Sequence, residues 1–220
     1  MKKEHAPLTI EKIKAAHRER RAEILQRLAE FDDVVKNGTD ERFWEEMVFC
    51  FFTGGCSARM GMRSVEAVRP LLLTGNHAEL SAALVGRHRY PNARAGYIVA
   101  SREFLQEHCG LRLREKLASF DDDAARRDWL VKEKRIKGLG YKEASHYLRN
   151  IGYLGYAILD KHILRSLAEL KIIDDPQPPS TRAKYLATEA KLKKLATLTG
   201  IDFDELDLVL WSMKTGEILK

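Results

Sequence analysis

Apolar residues recur at three- and four-residue intervals along almost the whole chain, and sustained alternation of apolar with polar residues is absent. Ile10, Ile13, Ile24, Leu28, Phe31 and Val35 form a broken stripe that predicts a helix over about 9–36, stopped by Asn37-Gly38. A second helix is predicted after Thr39. Asp40 and Glu41 fall in its first turn, Phe43, Trp44, Met47, Val48 and Phe51 turn inward, and Thr53-Gly54-Gly55 interrupts it. Further helices are expected over about 57–73, 77–85 and 91–108, where Pro91 suits a first turn and Gly110 a C-terminal stop.

The second half carries a predicted helix over 122–134, a tight hairpin at 136–140 and a helix over 141–151. Gly152-Tyr153-Leu154-Gly155-Tyr156 reads as a glycine-punctuated loop, followed by a helix from Asp160 to near Leu170. Pro176, Pro178 and Pro179 make a rigid connector. Ser180 is expected to cap a helix running to Thr199, which Gly200 stops. Asp202 with Glu205 resembles a capping box for a last helix ending near Met213. There is no internal repeat and no low-complexity tract, so the expected fold class is all-α.

Composition narrows the partners. The 220 residues are 45% hydrophobic, enough for one sizeable core or two small subdomains sharing a cleft. Lys and Arg outnumber Asp and Glu by 38 to 32, a modest excess that suits a polyanion. Cys50, Cys56 and Cys109 are odd in number and lack CxxC spacing, which argues against a disulfide framework, a zinc site or an iron–sulfur site. Cys50 lies in an apolar run and is expected to be simply buried. The N-terminal residues are charged and no stretch approaches the ~20 apolar residues of a membrane span, so a cytoplasmic, nucleoid-associated protein is expected.

The most informative segment is Ile136-Lys137-Gly138-Leu139-Gly140-Tyr141-Lys142-Glu143. Two glycines between helical patterns let the backbone take positive φ and approach another chain closely. The amides at the start of the following helix then form an anion site suited to a phosphate. Lys132, Lys134, Arg135, Lys137, Lys142 and Arg149 surround it, against only Glu133 and Glu143. Asp160 follows Lys142 by eighteen residues, within Leu159-Asp160-Lys161-His162. An intervening helix and return loop can bring this carboxylate back beside the lysine.

At these residues the chain resembles the helix–hairpin–helix DNA glycosylase superfamily. Gly-Leu-Gly-Tyr-Lys, the Gly152/Gly155 loop and Leu-Asp-Lys-His resemble its hairpin, its glycine/proline-rich loop and its catalytic aspartate. The loop here lacks a proline, and Lys137 stands where a proline usually precedes the first hairpin glycine. A lysine at the helix start resembles the bifunctional members, which release a base and then nick the strand. The endonuclease III-like branch commonly carries four C-terminal cysteines, and no cysteine follows Cys109. The ending from Leu210-Trp211 to Lys220 resembles the short, type-2 8-oxoguanine DNA glycosylases.

That resemblance implies two helical subdomains flanking a DNA-binding and active-site cleft. The whole chain 1–220 would be one glycosylase unit, with the hairpin and catalytic loop over about 122–170. The segment 180–220 would complete the base pocket. It further implies Lys142 and Asp160 as catalytic residues, with Trp211 and Lys220 (through its terminal carboxylate) reading the flipped base. Lys137, Gly138, Gly140 and His162 would touch DNA phosphates, and Arg59 would sit near the orphaned cytosine, although glycines replace the asparagines expected beside it. The implied partner is double-stranded DNA containing 8-oxoguanine, met by a monomer. No cofactor is implied beyond a structural monovalent cation at the hairpin.

An ordinary lysine titrates near about 10.4, so attack at C1′ calls for a desolvated amine with cations nearby. The same residues leave open a glycosylase for oxidised pyrimidines, a non-catalytic helix–hairpin–helix DNA clamp and, more remotely, a helical scaffold.

Overall fold

The computed structural model describes residues 7–219. Among them are eleven α-helices, one 3-10 turn and no strand. The helices are α1 (Ile10–Asn37), α2 (Asp40–Thr53), α3 (Ala58–Val68), α4 (His77–Leu84), α5 (Pro91–Cys109), α6 (Leu113–Ala118), α7 (Asp123–Lys132), α8 (Tyr141–Asn150), α9 (Lys161–Glu169), α10 (Arg182–Thr199) and α11 (Phe203–Thr215). Two compact units result. One is 31–153; the other joins the residues up to Glu30 with those from Leu154 onward.

In the 31–153 unit, α2 is the central element. Thr39 caps its start, accepting from the Arg42 N–H at 3.2 Å. The predicted inward face covered five residues, yet Phe49, Cys50 and Phe52 are also fully buried. A helix apolar on all sides lies inside a bundle rather than on its surface, and α2 packs against α3, α5, α6 and α8. Trp44 satisfies its indole N–H on the Leu72 carbonyl at 3.0 Å, so its bulk is buried without an orphaned donor.

Punctuation explains most helix ends here. The expected 57–73 helix stops at Val68, where Pro70 removes an amide and the chain tightens into the 3-10 turn Arg69–Leu71. Asn76 and Glu79 form a reciprocal capping box at α4. Gly110 ends α5 at φ 59, a left-handed stop. The six-residue α6 has no counterpart in the sequence reading. Its two buried leucines, Leu113 and Leu117, are too few to register as a periodic stripe.

The other unit is built by α9, α10, α11 and the first part of α1, with α11 packed on α9 and α10. Thr181, not Ser180, caps α10, accepting from the Lys184 N–H at 3.2 Å. Asp202 caps α11 as expected, but the reciprocal half of a box is absent. The Glu205 carboxylate is instead taken by His17 at 2.5 Å and Arg21 at 3.1 Å, which ties α1 to α11. Burial raises the Glu205 carboxyl, but these two donors outweigh it and hold the group below its ordinary value.

Candidate active site

The hairpin owes its shape to α5. Ile136 and Leu139 are buried and anchor its two sides, while the Lys137 N–H donates to Ser101 Oγ at 2.9 Å. Gly138 has φ 76, and a Cβ there would stand 2.6 Å from Cδ2 of Tyr97. Only a glycine fits both the left-handed backbone and the close ring. Gly140 differs from the expectation. It is extended, with φ −87 and ψ −176, and serves as the N-cap of α8. Having no side chain, it leaves the first amides of α8 without a side-chain cap, which suits an anion.

The basic surround is thinner than the sequence suggested. Lys134 and Lys137 are exposed. Lys132 pairs with Asp128 at 2.7 Å, and Arg135 lies over the Phe104 ring at 4.1 Å. Arg149 is buried, its guanidinium 5.2 Å from the Phe31 ring, because the tight period of α8 turns this position into the core. Lys142, the second residue of α8, keeps 25% of its side chain exposed, and its Nζ lies 3.0 Å from Glu143 Oε1. A carboxylate therefore stands beside the amine where cations were expected.

Asp160 sits in the other unit, at the end of a stretch without regular structure. Gly155 N–H donates to both oxygens of Asp204 at 3.1 Å, and Ala157 N–H donates to Glu189 Oε2 at 2.9 Å. The Tyr185 hydroxyl donates to the Ala157 carbonyl at 2.7 Å and accepts from Leu159 N–H at 3.4 Å. The carboxylate of Asp160 then divides its work. Oδ1 accepts from the His162 and Ile163 amides at 2.7 and 2.9 Å, capping α9. Oδ2 accepts from the indole N–H of Trp211 at 3.2 Å. Trp211 is half-buried, and its ring meets that of His162 edge to face at 6.4 Å. Burial pushes the His162 imidazole below its ordinary value against the opposing pull of Asp160, so near neutral pH it offers one N–H donor and no positive charge.

Arg59 is exposed in the first turn of α3. The bend before it is held by residues that sequence reading missed. Arg94 donates to the Gly54 carbonyl at 2.6 Å, and His88 Nε2 lies 3.1 Å from the Phe52 carbonyl, so the end of α2 is satisfied from α5 and the segment before it. Burial, with some help from Arg94, pushes His88 below its ordinary value despite that bond. Lys220 lies outside the described residues.

A family model described as 8-oxoguanine DNA glycosylase matches residues 24–201. The chain belongs to the 8-oxoguanine DNA glycosylase family.

Among its family relatives, the 8-oxoguanine DNA glycosylase/AP lyase of Korarchaeum cryptofilum is 41% identical over 198 residues, covering 90% of each chain. The Methanocaldococcus jannaschii 8-oxoguanine glycosylase/lyase, solved in complex with a 15mer DNA containing 8-oxoguanine, superposes with a TM-score of 0.88. It is 36% identical, over 96% of this chain and 99% of that one. The Thermotoga maritima 8-oxoguanine DNA glycosylase gives 0.87 at 32% identity, covering 96% and 98%.

Within this member of the family, Tyr185, Glu189 and Asp204 are the side chains holding the segment before Asp160 that sequence reading missed. They act on backbone groups 26 to 49 residues away, and no local pattern marks such a role. Asp204, for instance, reads in sequence as one more acid in a first helical turn.

Proposed function

We propose that this chain excises 8-oxoguanine from duplex DNA and then nicks the strand by β-elimination. The carrying observation is the 96% coverage, at TM-score 0.88, of an enzyme solved with DNA containing that lesion. The local geometry at Lys142 and Asp160 supports the same reading. A base inside a duplex is out of reach, so the nucleotide is rotated out at a cost of a few kcal/mol for unstacking. Uncapped amides at the start of α8 and the exposed Lys137 offset part of this by gripping phosphates.

In this reading the Lys142 amine attacks C1′ of the sugar, and the Asp160 carboxylate stabilises the positive charge that develops there as the glycosidic bond breaks. The resulting Schiff base acidifies the 2′ proton, and elimination of the 3′ phosphate follows. Trp211 offers its ring to the flipped base while its N–H steadies Asp160. His162, neutral near pH 7, serves a phosphate as a hydrogen-bond donor. Arg59 is assigned to the strand opposite the lesion. The hairpin 136–140 offers neutral backbone carbonyls, a donor type that suits a monovalent cation; such an ion would stiffen the turn, and no step passes through it. We assign the protein to work as a monomer on chromosomal DNA. Among the described residues no helix is long and apolar enough to cross a membrane.

Borohydride trapping on an 8-oxoguanine duplex tests the assignment. The wild-type chain is expected to form a covalent adduct, and Lys142→Gln to lose base release and nicking by at least about a thousand-fold while duplex binding persists. An adduct that survives in Lys142→Gln removes Lys142 from the reaction. Equal activity on oxidised pyrimidines across a panel of single-lesion duplexes removes 8-oxoguanine as the preferred substrate.

A further inference from the structure

Lys142 and Glu143 are neighbours in the chain, and on a helix such neighbours point about 100° apart and do not face each other. Their side chains nevertheless meet, Nζ to Oε1, at 3.0 Å. Glu143 is also the less exposed partner, with 17% of its side chain open against 25% for Lys142. Its second oxygen lies back against Gly140, where a Cβ would stand 3.2 Å from Oε2. The lysine therefore curls across the first turn of α8 onto a carboxylate lodged against the hairpin. A partly exposed pair of this kind adds little to folding stability, so its placement calls for another explanation. Charged groups from α7 also stand at this end of α8 and face Tyr141, while Lys137 is exposed on the adjoining hairpin. Asp128 accepts from its hydroxyl at 2.9 Å, and the Arg127 guanidinium lies 5.9 Å from its ring.

We propose that Glu143 is the proton acceptor that converts Lys142 into a nucleophile. This rests on the reading of Lys142 as the attacking amine. An ammonium has no lone pair, so one proton must leave Nζ before the N–C1′ bond can form. Glu143 Oε1 takes it, leaving a neutral amine and a carboxylic acid. The amine lone pair then bonds to C1′ while the C1′–N9 pair departs with the purine. The purine anion gains one proton in leaving, which equals the one lost by the ammonium, and the Glu143 carboxylate is restored. A simple counter-ion would do the opposite, because a fixed negative charge favours the protonated amine. The two roles thus differ in sign when the charge is removed.

The experiment measures the rate of borohydride-trapped adduct on a duplex holding a preformed abasic site, across neutral to alkaline pH, for wild type, Glu143→Gln and Lys142→Gln. Thermal melting and duplex affinity are measured alongside. An acceptor role predicts that Glu143→Gln melts and binds like wild type but traps on the order of a hundred-fold more slowly near neutral pH. The rate should recover as rising pH deprotonates the amine without help. Trapping at the wild-type rate or faster near neutral pH overturns the proposal. So does a loss that is equal at every pH, since misplacement of α8 is not repaired by hydroxide. Lys142→Gln should give no adduct at any pH. An adduct there brings down the nucleophile reading itself, whereas an inert Lys142→Gln beside an unimpaired Glu143→Gln strikes only the role of Glu143.

Discussion

The regions around Lys142 and Asp160 are built in opposite ways. Lys142 stands at the start of a regular helix, placed by a local device: a left-handed glycine, a hairpin anchored by Ile136 and Leu139, and a first turn without a side-chain cap. Asp160 ends an irregular stretch whose amides are held one by one by Asp204, Glu189 and Tyr185, and whose carboxylate is held by Trp211. A site made by local sequence is stiff because few torsions are free. One made from irregular backbone is stiff only while each buried amide keeps its acceptor. The first should fail through backbone strain, the second through loss of a single distant partner.

The largest effect should come from breaking the local device. Gly138→Ala puts a Cβ onto the Tyr97 ring at positive φ. Left-handed strain and overpacking together should cost about 2–4 kcal/mol. Calorimetry should show the lowered melting temperature, and duplex affinity should fall with it. A variant as stable as wild type would mean that the hairpin is held by something other than the close approach to α5.

Next is the distant scaffold. Asp204→Ala leaves the Gly155 amide without its acceptor and should cost about 1–3 kcal/mol. Base release from 8-oxoguanine DNA should suffer more than adduct formation on a preformed abasic site, because in the proposed mechanism Asp160 acts while the glycosidic bond breaks. If both activities fall equally, the contrast between the two regions is wrong.

A smaller change sharpens the same contrast. Trp211→Phe keeps an aromatic face but removes the N–H donated to Asp160 Oδ2. A hydrogen bond to a charged group is worth about 1.5–3 kcal/mol, and part of that should be replaced by water at this half-buried position. Single-turnover base release is expected to slow by about ten-fold, with nicking of abasic DNA nearly unchanged. Equal slowing of both would make Trp211 a packing residue only.

The smallest effect concerns pH. Glu205 is held below its ordinary value, so its contribution to stability is complete above the ordinary carboxylate range and is lost as pH falls through the lowered value. Glu205→Gln should therefore lower the melting temperature near neutral pH and flatten its decline in acid. Parallel melting curves for the two proteins from about pH 7 to about pH 3 would show that His17 and Arg21 add nothing through this carboxylate.

Much of this was legible before any coordinates. Thr39, Pro91, Gly110, Gly200 and Asp202 mark helix ends through capping and left-handed backbone, which are properties of single residues in sequence order. Where the structure departs from the pattern, the cause is competition that a one-dimensional pattern does not contain. Arg149 looked like part of a basic rim, but the turn of α8 buries it over Phe31. Glu205 looked like half of a capping box, but His17 and Arg21 from α1 claim it first. The stripe on α2 suggested one buried face, because periodicity cannot report how many neighbours surround a helix.

By itself the sequence determined an all-helical chain, a glycine hairpin with Lys142 just beyond it, and Asp160 at the head of a helix, since the signals for each lie within a turn or two, although the shape of the hairpin also needs Ser101 and Tyr97 of α5. Only the tertiary structure decided that Oδ2 of Asp160 meets Trp211, that three side chains from α10 and α11 hold the irregular segment leading to it, and that Lys142 rests on Glu143. The reason is physical. Capping and backbone conformation act between near neighbours in the chain, whereas the satisfaction of buried amides and the pairing of long side chains depend on which groups folding brings within about 3 Å of one another.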